Sequence, residues 1–179
     1  VFSYIVKLGD WSVYPSREYF ERFWHGRFLR EAENWGDAES AFAKAASVAA
    51  TPPERDAASW YAVDSTLRRS TAKAVVALGS ALSSSRNPAY YADLIEQISR
   101  EALVARDGAT LVALDAATRG RTTTRDAARL AYLCARATQT GIITGTQLRA
   151  AFGAAYKDVG EYVENRLVAA WDQRSDGWY

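Results

Sequence analysis

The chain has 179 residues, 49% of them hydrophobic, with 22 Lys and Arg against 21 Asp and Glu, a net charge of +1. That size and composition predict one soluble globular domain with a sizeable core. They exclude a globally basic, histone-like protein, although a local basic patch can hide within a neutral total.

Cys134 is the only cysteine and His25 the only histidine, so no internal disulfide can form, and catalytic triads and His-rich metal sites find no support. No apolar run approaches the roughly 20 residues that span a bilayer, and no secretory signal pattern stands at the start.

Residues 1–15 lack periodicity and contain Gly9 and Pro15. They read as an extended N-terminal arm with a short strand over 2–6. Beyond it, abundant alanine and few β-branched runs favour helix throughout. Ser16 is placed to cap a helix over 17–34 that carries Tyr19, Phe20, Phe23, Trp24 and Phe28. Gly36 and Asp37 end it and start a second helix, which runs to about residue 50.

Thr51-Pro52-Pro53-Glu54 then forms a strong start signal: a capping residue, proline at the first helical position and the glutamate of a capping box. One helix is predicted from there, because Trp60, Val63, Leu67, Ala74, Leu78 and Ala81 recur on one face, and it fades in serines 83–85. Asn87-Pro88 opens the next, with Tyr91, Leu94, Ile95, Ile98 and Ala102 as its apolar stripe and Asp107-Gly108 as its stop. A short helix over 109–118 leads into a loop at Arg119-Gly120-Arg121. Thr124 is expected to cap a helix over 125–140 that Gly141 ends. Thr144 with Gln147 forms another capping box, and helix continues to about 172 with breaks at Gly153 and Gly160. Short loops favour antiparallel neighbours. The expected fold is all-α, an antiparallel up-and-down four-helix bundle over 16–172 with short extra helices, the arm at 1–15 and a C-terminal tail at 173–179.

The segment 119–136 holds five arginines and one aromatic in 18 residues. Ala127, Leu130, Ala131, Cys134 and Ala137 recur as a core face, while Arg125, Arg129, Tyr132 and Arg136 fall in a narrow opposite sector. Arginine presents a planar fork of donors suited to phosphate, and tyrosine offers a π-face to an unstacked base. Asp126 lies close enough to order an arginine or accept from a ribose hydroxyl. Arg86, in a serine-rich turn between two helix ends, is a further phosphate candidate. A solvated face paired with acids on a neighbouring helix explains the same pattern, and a second basic group, Arg68, Arg69 and Lys73, reads as plain surface. His25 reads as a surface or structural residue and Cys134 as packing. Trp171 and Trp178 suit contacts between subunits. No nucleophile, metal set, cofactor motif or phosphate loop is recognisable, so a non-enzymatic protein without cofactor is expected.

Three segments in order resemble the coat proteins of rod-shaped helical plant RNA viruses, the tobamoviruses and their furovirus and benyvirus relatives. Leu114-Asp115-Ala116-Ala117-Thr118-Arg119-Gly120-Arg121 followed by Arg125-Asp126-Ala127 is similar to the segment that faces RNA in that family. Ala77 to Leu82 followed by Ser85-Arg86-Asn87 is similar to a phosphate-binding turn, with Pro88 standing where a second turn arginine is common. Val163-Glu164 followed by Trp171 is similar to a C-terminal structural signature, with Val in place of the usual Phe. The resemblance implies a structural coat protein in the virion, assembled in host cytoplasm. Many copies would form a helical rod around single-stranded RNA, with Arg86, Arg119, Arg121, Arg125, Asp126 and Arg129 at the RNA and no membrane partner. It also implies acids that repel one another between subunits, with Glu96, Glu101 and Asp107 as candidates. The competing expectation is a non-enzymatic bacterial helical-bundle interaction protein of the adaptor or immunity type.

Overall fold

The computed structural model describes residues 16–172. The arm at 1–15, its expected strand, the tail at 173–179 and Trp178 lie outside the described residues. Within them the protein is all-helical, with nine α-helices: α1 Arg17–Glu31, α2 Trp35–Ser47, α3 Pro52–Leu67, α4 Thr71–Ser84, α5 Ala92–Val104, α6 Gly108–Thr118, α7 Thr124–Gln139, α8 Gly145–Phe152 and α9 Val159–Asp172. A 3-10 turn, Pro88–Tyr91, leads into α5. No helix among the described residues is long and apolar enough to cross a membrane.

The capping chemistry read from the sequence sets several of these ends. Thr51 accepts from the Glu54 amide while Glu54 accepts from the Thr51 amide, and Thr144 and Gln147 repeat the arrangement. Such boxes satisfy amides that have no partner within the helix. Ser16 precedes α1 without a side-chain cap. Thr123, rather than Thr124, caps α7 by accepting from the Asp126 amide. Gly153 takes a left-handed φ of 57° and breaks the chain after α8, whereas Gly160 sits inside the first turn of α9.

The single helix expected from residue 52 to the serines at 83–85 is two helices. α3 ends at Leu67, and Ser70 starts α4 by accepting from the Lys73 amide. The interval from Leu67 to Ala74 is seven residues, two helical turns, so the buried stripe keeps its period across the break and hides it. Asp107-Gly108 likewise begins a helix. Arg106 takes the left-handed turn at φ 54°, Asp107 caps α6, and Gly108 is its first residue.

The main core joins α3 to α9. It contains Val63, Leu78, Tyr91, Leu94, Ile98, Leu111, Leu114, Leu130, Cys134, Ile143 and Tyr162, all buried. A smaller cluster of Tyr19, Ala45 and Ala58 binds α1 and α2 to α3. Gly79 of α4 faces Ala117 of α6, where an added Cβ would sit 3.3 Å from the Ala117 Cβ. Four residues further along each chain, Ser83 and Arg121 line one groove between these helices. The two helices therefore run the same way and end on the same side of the molecule.

Candidate nucleic-acid interface

That common end gathers the loops that hold the arginines. α4 ends there and is followed by Arg86; α6 ends there and is followed by Gly120 and Arg121; α7 starts there. Arg86, Arg121 and Arg125 are all exposed. Along α7, Arg125, Arg129, Tyr132 and Arg136 form an exposed stripe, opposite buried Ala128, Leu130, Ala131, Cys134, Ala135, Ala137 and Thr138. Ala127 lies on the core face as expected but is exposed, since it sits in the first turn of α7.

The expected site residues divide by what they touch. Arg129 reaches Glu96 on α5 at 3.6 Å, and Glu96 also holds Arg100 at 2.9 Å. This is the acid-paired surface that the sequence left open, and both side chains are about half exposed, so the pairing is weak. Asp126 accepts from the Thr123 hydroxyl at 2.5 Å and half-buries itself at the start of α7. Arg136 reaches Gln139 at 3.1 Å. Among the described residues no ion pair holds Arg86 or Arg121.

Arg119 points inward. Its Nη2 donates to Asp115 at 2.7 Å, its Nη1 donates to the Tyr156 hydroxyl, and its guanidinium lies 4.1 Å from the centre of the Phe152 ring. Burial disfavours the Arg119 cation, but the hydrogen bond and charge of Asp115 outweigh it and hold the pKa above its ordinary value. Asp115 is itself buried and also accepts from Tyr162 at 3.0 Å and from Arg166 at 3.5 Å. One carboxylate thus joins the end of α6 to α9, and Arg119 extends the link to Tyr156 after α8. Arg166 and Tyr156 were not singled out from the sequence; their signal, a buried acid wanting partners, exists only once the chain is folded.

The remaining candidates fall outside the interface. Arg68 reaches the buried Asp64 at 3.6 Å, which Arg30 also holds at 2.9 Å, and Arg69 reaches Glu39 at 2.9 Å. His25 is exposed on α1. Burial pushes the Cys134 thiol up to about 12, which keeps it protonated and unreactive. Glu101 accepts from Thr71 and Gln97, and Asp107 from Thr110. With Glu96 on its arginines, all three acids expected to repel between subunits have partners within the chain. No protein-family model, curated protein or solved structure matches this chain.

Proposed function

We propose that this protein is a non-enzymatic coat protein that packages single-stranded RNA in a helical rod, contacting it through the arginine end of the helical core. Exposed arginines carried just past the ends of α4 and α6 and in the first turn of α7, Arg86, Arg121 and Arg125, are the observation that supports the reading. α4 to α7 would serve as the up-and-down four-helix unit that presents this end to the RNA. Phosphates bind the loop arginines, and Tyr132 offers a stacking face further along α7. Such contacts hold the backbone and read little sequence. Arg119 supports the loop from behind and contacts no RNA, and Arg129 joins the RNA only by leaving Glu96. Assembly in host cytoplasm and residence in the virion belong to the same reading.

Binding of a fluorescent single-stranded RNA across a salt series tests it. Arg121→Ala with Arg125→Ala should flatten the dependence of log affinity on log salt by about one unit per phosphate contact removed. Helical content should stay unchanged, since both side chains are exposed. A slope equal to the unmodified protein's would move the interface elsewhere.

A further inference from the structure

Two helices carry apolar stripes that nothing among the described residues covers. On α1, Phe20, Trp24 and Phe28 recur every four residues and are 44%, 50% and 62% exposed. On α9, Leu167, Val168 and Trp171 share one face and are 36%, 53% and 69% exposed. Large contiguous apolar surfaces of this kind mark interaction sites. α1 packs on α2 and α3, and α9 packs on α7, so the two stripes belong to different parts of the molecule.

Each stripe is flanked by a charge, and the charges are opposite. Arg27, one turn beyond Trp24, lies over the Trp24 and Tyr61 rings and has no carboxylate partner among the described residues. Glu164 precedes Leu167, Val168 and Trp171 at intervals of three, four and seven residues, and it is exposed with no cation partner among the described residues. From Phe20 to Arg27 is seven residues, and so is Glu164 to Trp171; both spans are about 10 Å along a helix. The α9 stripe also borders a shallow groove against α7, walled by Val159, Val163 and Leu167, which can receive a projecting ring.

We infer that α1 of one copy packs antiparallel on α9 of the next, with Arg27 against Glu164 and the α1 aromatics against Leu167, Val168 and Trp171. The contact is heterologous: each of the two copies uses one stripe and keeps the other free, so it propagates. This deepens the self-assembly part of the proposed function and is independent of RNA.

The full-length chain without RNA tests it by analytical ultracentrifugation. Trp24→Glu with Phe28→Glu blocks one stripe, and Trp171→Glu blocks the other. Each variant alone should be monomeric where the unmodified chain associates, and the two mixed should form a one-to-one heterodimer, since each retains the half the other lacks. Glu164→Arg, which leaves the apolar stripe intact, should weaken association by at least about tenfold. Self-association of either blocked variant, or no heterodimer on mixing, overturns the inference. Circular dichroism of each variant checks that the helices persist. A heterodimer that forms while RNA binding fails would sink the RNA reading alone; RNA binding without the heterodimer would sink this interface alone.

Discussion

Asp115 shows how far a sequence segment can mislead about the role of one residue. In the run Leu114 to Arg121 the acid and its arginines look like one exposed, ligand-facing set. Folding divides them: Asp115 is 3% exposed and holds Arg119, Tyr162 and Arg166, while Arg121 alone projects. Helical spacing of four puts Asp115 and Arg119 on one face, but only the position of α9 decides that this face is inside. Removing the carboxylate leaves two arginines that have lost their counter-charge. Asp115→Ala should destabilise the fold by about 3–5 kcal/mol in urea denaturation. A loss below about 1 kcal/mol would mean that the cluster contributes little. Cys134 offers a second check. Its thiol rises from 9.0 to about 12 on folding, chiefly through burial. A raised acid pKa means that the folded state holds its proton longer than the unfolded state does. The resulting stability is complete below about 9 and is lost as pH rises toward 12. Native protein at mildly alkaline pH should resist iodoacetamide, and urea-unfolded protein should react at once.

At the scale of elements, the two capping boxes, which act within four residues, were readable. Thr51 to Glu54 and Thr144 to Gln147 start helices where their chemistry says they must. Signals that depend on a distant neighbour were not. Gly108 looks like a stop because glycine ends helices, yet its need for no side chain comes from the backbone of another segment: an added Cβ would lie 2.0 Å from the Ile142 carbonyl oxygen. Gly108→Ala should therefore lower the melting temperature sharply, the clash outweighing the roughly 1 kcal/mol at most that helix propensity would return. An unchanged melting temperature would show that the α6 start can shift away from Ile142. Ser70, hidden by an unbroken buried stripe, restarts the chain as α4, and Ser70→Ala should cost about 1 kcal/mol by thermal unfolding.

The arginine surface belongs to the whole molecule, since it exists only because α4 and α6 run parallel and end together. The sequence showed that Arg125, Arg129, Tyr132 and Arg136 share a helix face; it could not put the ends of α4 and α6 on one side, because that depends on how α5 returns the chain between them. Nor could periodicity show Arg129 meeting Glu96 while Arg121 has no such neighbour. The uncovered stripes on α1 and α9 lie on helices other than those whose ends carry Arg86, Arg121 and Arg125, so the proposed RNA contact and the proposed contact between copies use different surfaces. Electron microscopy of protein assembled with single-stranded RNA, with the nuclease-resistant RNA measured in the same particles, tests this most directly. Uniform rods holding RNA in fixed proportion to protein are expected. Small particles free of protected RNA across salt and pH would contradict the coat-protein reading.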